Sequence, residues 1–412
     1  MEIVFRDLVL EGHDSRQDIG VQAGTIVAIG KDLPQPESPD NDIAAPGCMA
    51  TPLFIDPHHH LDCAYLDEYV NLSGTLDEAI EINARIKNER PADEIFIKAC
   101  RALTEALGNG TGWIRNHVDV DSVSGLKLLY PILQAKEKFA GVVDVQIVCF
   151  PQLGLVRDPE SVPWMREAML QGADVVGGMP HAEANREDAQ KHIDIAFEIA
   201  KEFDADIDMH IDETDDPNSR TLELLAETTI REGYQGRVIA GHCCALAAYP
   251  DQYASRVIQK VAEAQISVVT NPMINLYLQG RGDLQPVRRG ITRVKELLAE
   301  GVNVTCGLDD IRNIFFPFGR MDMLEVAMIT ALTAHLSTPD EIQTAFDMPR
   351  ERAANALRLE DYGLEVGKPA NFALIEATNA QDALRLQPNR RYVVREGQIL
   401  VEAKVEQELH WT

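Results

Sequence analysis

The chain is short of positive charge. Over 412 residues it sets 38 Lys and Arg against 66 Asp and Glu, a formal charge of -28. A surface of that sign repels nucleic-acid phosphates and anionic membranes, so neither is expected as a partner. No apolar run approaches the roughly 20 residues that a membrane span needs. The opening residues, MEIVFRDLVLEG, lack the basic start, apolar middle and cleavage site of a secretory signal. The seven cysteines (Cys48, Cys63, Cys100, Cys149, Cys243, Cys244 and Cys306) are scattered, odd in number and contain no CxxC pair. That excludes a disulfide framework and fits a reducing compartment, so a cytoplasmic location is expected. Hydrophobic residues at 45% and charged residues at 25% are ordinary for a globular chain. The length allows one large domain and a smaller one.

What the chain does have is a series of short β-branched, apolar runs. They fall at about 53–60, 112–120, 143–152, 173–181, 204–213, 236–244, 265–272 and 301–310. Apolar residues at helical spacing separate them, at 124–140, 186–204, 218–233, 253–264 and 291–301. A longer helical region covers about 76–109, and another helix follows at 321–336. Eight strands alternating with helices predict an α/β fold, a (β/α)8 barrel over residues 51–361. A doubly wound open sheet is the alternative. The two ends differ from the middle. Residues 1–50 hold two short strand patterns, and 362–412 hold GKPANFALIEA and RRYVVREGQILVEAKV. Both ends are expected to pair into one small sheet domain.

Chemistry-bearing residues recur where the barrel strands end, which is where such barrels place their active sites. In FIDPHHHLD, residues 54–62, three histidines stand side by side at the end of an apolar run. Side chains alternate along a strand, so His58 and His60 share one face and His59 takes the other. Later strand ends bring Gln152, His210, Glu213, His242, Asp309 and Asp310. His58, His60, His210 and Asp309 offer three imidazole nitrogens and one carboxylate, a donor set suited to zinc or iron(II). A metal held this way lowers the pKa of a bound water towards neutrality. The fourth strand, ADVVGGMP, supplies neither Lys nor Glu to bridge a second ion, so one divalent metal ion is expected.

The segments PHHHLD, HVDV, FPQ, HIDE, NPMINLYLQGR, RRGITRVKELL and GLDDI resemble the cytosine deaminase branch of the amidohydrolase superfamily. The resemblance runs over nearly the whole chain. It implies a distorted (β/α)8 barrel flanked by a β-sandwich built from both chain ends. It implies metal ligation by His58, His60, His210 and Asp309, and proton transfer by Glu213. It implies a place beside the attacking water for His242, substrate-amide recognition by Gln152 and a carboxylate near the ring at Asp310. Gln152 is expected to meet the ring with one donor and one acceptor. The activity implied is hydrolytic deamination of an aromatic N-heterocycle, a cytosine-like pyrimidine first, with water as co-substrate. Fused rings such as isoguanine or a pterin, and an alkylaminotriazine losing its alkylamine, are the alternatives. A metal-binding scaffold without catalysis would retain the fold but has no use for Glu213 with His242 and Asp309. Two positions depart from the branch, both expected on the pocket wall. Leu308 stands where the branch has histidine, and Phe315 lies where it has an aromatic segment with tryptophan. Whether the chain forms a homo-oligomer is left open.

Overall fold

The structure is a computed structural model in which residues 1–406 and 408–410 are described. Sixteen strands are formed among them. The first five are β1 (Ile3–Leu8), β2 (Gln17–Gln22), β3 (Thr25–Gly30), β4 (Asp42–Ala44) and β5 (Met49–Pro52). The barrel strands follow: β6 (Phe54–His59), β7 (Thr111–Asp119), β8 (Asp144–Phe150), β9 (Val175–Gly178), β10 (Asp206–Ile211), β11 (Val238–His242), β12 (Ser267–Thr270) and β13 (Val304–Cys306). The last three are β14 (Phe372–Ile375), β15 (Arg390–Arg395) and β16 (Gln398–Glu402).

Strands β6 to β13 lie in strict sequence order in one parallel sheet. The sheet closes on itself. The Asp309 N–H donates to the His58 carbonyl at 2.9 Å, and the His60 N–H donates to the Asp309 carbonyl at 2.9 Å. This is a barrel, and the open doubly wound sheet is set aside. All six residues of β6 are buried, as expected of a strand covered on both faces.

Helices pack around the barrel: α1 (Leu76–Ile86), α2 (Ala92–Gly108), α3 (Leu129–Phe139), α4 (Ser161–Gln171), α5 (Arg186–Glu202), α6 (Thr221–Glu232), α7 (Asp251–Glu263), α8 (Pro272–Leu278), α9 (Val294–Ala299) and α10 (Met323–Thr333). The helical region at 76–109 is two helices, because Pro91 disfavours the helical conformation at Arg90. Thr75 opens α1 by accepting from the Glu78 N–H. Helices α4 and α8 were not apparent in the apolar spacing. The first is only weakly two-sided and the second spans 7 residues.

The chain ends form the two sheets of the expected β-sandwich. The first runs in the order β3-β2-β1-β4 and the second β16-β15-β14-β5. Alternate residues explain the pair. Phe5, Ile19 and Val21 from one sheet meet Phe372, Leu374 and Val394 from the other in a shared apolar core. The Phe5 and Phe372 rings meet edge to face at 5.1 Å. The result is a β-sandwich beside the barrel. Among the described residues no helix is long and apolar enough to cross a membrane. All seven cysteines are buried and unpaired.

Candidate active site

Strand ends at one mouth of the barrel bring His58, His60, His210, His242 and Asp309 into one buried cluster. His58 Nε2 lies 3.2 Å from His210 Nε2, and His60 Nε2 lies 3.1 Å from it. Asp309 Oδ1 stands 3.8 Å from His58 Nε2 and 3.5 Å from His60 Nε2. His59 points elsewhere, as alternation requires: its Nδ1 faces Asp56 Oδ2 at 3.2 Å.

Local backbone makes the crowding feasible. A Cβ on Gly241 would sit 3.0 Å from the His58 ring, and one on Gly307 would sit 2.8 Å from His58 Cβ. Both positions therefore need glycine. His242 and Asp309 adopt φ of 66° and 76°, a conformation that costs non-glycine residues free energy and clusters at functional sites.

Burial, with neighbouring imidazoles, keeps His58 and His210 well below the usual histidine range, and pushes His60 down to about 3. The rings are neutral and can offer lone pairs. Burial, then Asp310 and Glu213, pushes Asp309 well above the carboxylate range. Imidazole lone pairs aimed at one point beside a carboxylate repel one another, and a divalent cation turns that repulsion into ligation. The donor set fits a divalent metal.

Glu213 and His242 flank this cluster. Glu213 Oε1 is 3.3 Å from His242 Nδ1, and His242 Nε2 is 3.6 Å from Asp309 Oδ2. Burial, then Asp310, pushes Glu213 up to about 8, so it is protonated at neutral pH. Asp310 itself is raised to about 6, chiefly by burial, although Asn313 donates to it in a short hydrogen bond.

A narrow pocket of about 20 Å3 opens beside these groups, lined by His60, His210, Glu213, Asp309, Asp310, Gln152 and Phe315 among others. Every site residue named from the sequence is thus gathered at one mouth. The pocket shares Leu76, Ile80, Gln152, Met179 and Glu213 with a polar groove of about 850 Å3. Phe315 forms part of the pocket wall, as expected. Leu308 does not: it is fully buried in the main apolar core.

Several residues escaped the sequence reading. Asn271 and Asn275 face His242, with Asn275 Nδ2 at 3.1 Å from its Nδ1. They lie four apart in NPMINLYLQGR, a spacing that puts both on one helical face. His117 packs against His58 with ring centroids 4.1 Å apart and lies 3.7 Å from Asp208 Oδ1. Asp208 and His210, two apart on β10, share the inward face of that strand. Asn83 and Lys87, on and just after α1, reach the site from outside the barrel.

Comparisons with known proteins identify the family of the whole chain. The model of the Amidohydrolase family matches residues 43–401. The N-isopropylammelide isopropyl amidohydrolase of a Pseudomonas species is 30% identical over 98% of each chain. The pterin deaminase of Rhizobium rhizogenes is 29% identical, over 85% of this chain and 80% of its own. The crystal structure of 5-methylcytosine deaminase from Klebsiella pneumoniae, liganded with 5-fluorocytosine, superposes with a TM-score of 0.95 at 32% identity, covering 99% of each chain. With a family model matched over residues 43–401 and a relative 30% identical over 98% of each chain, the chain belongs to the amidohydrolase family and is a hydrolase of C–N bonds.

Proposed function

We propose that the protein hydrolytically deaminates an aromatic N-heterocycle of the cytosine-like pyrimidine class, releasing ammonia. One observation carries the reading: Glu213, 3.3 Å from His242 Nδ1, and the His242–Asp309 pair stand beside a cluster of three converging imidazoles at the end of a pocket. His58, His60, His210 and Asp309 would hold a single zinc or iron(II) ion. Bound there, such an ion supplies acidity to a water molecule.

Beside such an ion Asp309 would be ionised, and it and His242 would take the proton of the attacking water. Glu213 gives its proton to the ring nitrogen next to the amino-bearing carbon, which makes that carbon electrophilic. Water oxygen adds to the carbon, which becomes tetrahedral. The proton held by Asp309 and His242 passes to the amino group and ammonia leaves; the hydroxyl proton of the tetrahedral carbon returns to Glu213 as the ring carbonyl forms. Gln152 orients the ring through its side-chain amide, and Asp310 and Phe315 border it.

The likeness to 5-methylcytosine deaminase at 32% identity supports a pyrimidine. The 30% identity to an N-isopropylammelide amidohydrolase supports a second reading, in which the leaving group is an alkylamine from a triazine. The groove of about 850 Å3 outside the pocket gives such a substituent room.

A panel of cytosine, 5-methylcytosine, isoguanine, a pterin and N-isopropylammelide separates these readings, with metal-loaded protein and ammonia or amine release as the signal. Fastest kcat/KM on a pyrimidine supports the proposal. Amine release from the triazine alone replaces it with the second reading, and no release from any ring overturns both.

A further inference from the structure

Helix α1 and the residue after it carry a stripe at positions 76, 80, 83 and 87, which is one helical face. Leu76 and Ile80 line the pocket. Asn83 and Lys87 lie beyond them and are fully buried. Lys87 donates to Asp119 Oδ2 at 3.1 Å and to Asp121 in a short contact. Asn83 Nδ2 donates to the same Asp119 oxygen at 2.9 Å and to Gln152 Oε1 at 3.1 Å. Asn83 Oδ1 is left to the Cys63 thiol at 3.7 Å.

The polarity of this chain runs one way. An ammonium only donates, so Lys87 requires an acceptor at Asp119. The carboxylate in turn requires a donor from Asn83, because an inverted Asn83 amide would put oxygen against oxygen. Asn83 therefore presents N–H to Gln152, and Gln152 must answer with its carbonyl oxygen. Its NH2 then faces the pocket, where no described residue accepts from it. The donor end of the amide is therefore fixed toward the pocket, while the oxygen keeps a second lone pair beside its bond from Asn83.

We infer that Asn83 is a positioning residue that fixes the Gln152 amide with its NH2 toward the substrate, so that the pocket selects rings bearing an oxo acceptor at that edge. The inference deepens the deaminase reading and rests on it for the pose of the ring. It names a substrate feature: the ring is an amino-oxo heterocycle, and the same ring with hydrogen in place of the oxo group is rejected.

Calorimetric binding of cytosine and of 4-aminopyrimidine, which lacks the oxo group, to metal-loaded protein tests this, beside turnover of both. The wild type should bind cytosine at least about tenfold more tightly. Asn83→Leu keeps volume and removes the donor. It should bring that ratio to within about threefold, acting on KM and leaving kcat within several-fold. Asp119→Asn can still offer an oxygen to both Lys87 and Asn83, so it should keep the wild-type ratio. If Asn83→Leu unfolds, Asn83→Asp gives the same reading, because a carboxylate there accepts from Gln152 and turns its oxygen to the pocket. Equal weakening of both ligands in the Asn83 variants overturns the inference and leaves a structural role. Intact deamination with an unchanged ratio overturns it alone. Preferred binding of cytosine, abolished in Asn83→Leu, with no turnover of any ring upholds it while the deaminase reading falls.

Discussion

Glu213 Oε1 and His242 Nδ1 stand 3.3 Å apart at the pocket floor, and Asn275 Nδ2 reaches both, at 3.4 Å and 3.1 Å. One asparagine thus holds the two groups that move protons in the proposed reaction. The carboxyl end of this arrangement is the most direct to test. Glu213→Gln keeps the shape and a hydrogen bond but cannot transfer a proton. Its kcat should fall at least about 100-fold. Metal content and Tm should stay near wild type. A variant with full metal and near-normal turnover would falsify the assignment of Glu213 as the acid.

The pH profile follows from the same residue. Burial and Asp310 raise Glu213 to about 8. The protonated form is the acid, and it dominates below that value. Wild-type kcat/KM should therefore hold across neutral pH and decline, losing one proton, as pH rises through about 8. Glu213→Gln should lack this limb. A wild-type profile that rises through pH 8 contradicts the sign.

Strand alternation makes a prediction about metal. His59→Asn should retain stoichiometric zinc by elemental analysis, because His59 faces Asp56 and not the cluster. His60→Asn should lose most of it, because its Nε2 sits 3.1 Å from His210 Nε2. Comparable losses in the two variants would show the faces to be reversed.

Lys87 lends itself to a stability measurement. It is fully buried between Asp119 and Asp121. Lys87→Met leaves two buried carboxylates without their cation and should cost about 3–5 kcal/mol in urea unfolding. A loss under 1 kcal/mol would mean that water enters the site and replaces the ammonium.

Phe315 sets the width of the pocket. Phe315→Ala should raise kcat/KM for a fused ring relative to a pyrimidine by roughly tenfold, the usual worth of apolar pocket contacts. An unchanged ranking would place the size limit elsewhere, with Ile274 or Met179 on the same wall.

The barrel was legible because its strands are buried on both faces and so read as unbroken apolar runs. Strand ends then marked the polar residues of the mouth, and alternation separated His59 from its neighbours. Leu308 shows where that reading stopped. A resemblance places a residue in a motif, but the way its side chain points, here into the apolar core, is set by the local backbone after β13. Asn83, Lys87, Asn271 and Asn275 were hidden for a different reason. Each lies on or beside a helix whose spacing looks like ordinary amphipathic packing, and only the tertiary fold brings its partner within reach. The β-sandwich of the chain ends was legible from the resemblance, but short alternating strands carry no signal of which of its two sheets each one joins.

Barrel closure has a consequence for how the protein becomes active. The hydrogen bonds that join His58 and His60 to Asp309 tie the first barrel strand to the segment after the last. A neighbouring bond in the same seam, from the Leu308 N–H to Asp56 Oδ1 at 3.1 Å, spans 252 positions of chain. Contacts so distant in sequence form late, once the intervening loops have been ordered. The ion-holding cluster is therefore completed by the same event that seals the barrel. A chain ending before β13 would lack Asp309 and with it the closure of the barrel. An ion held by His58, His60, His210 and Asp309 would bridge the seam, so its capture would report that the barrel had closed.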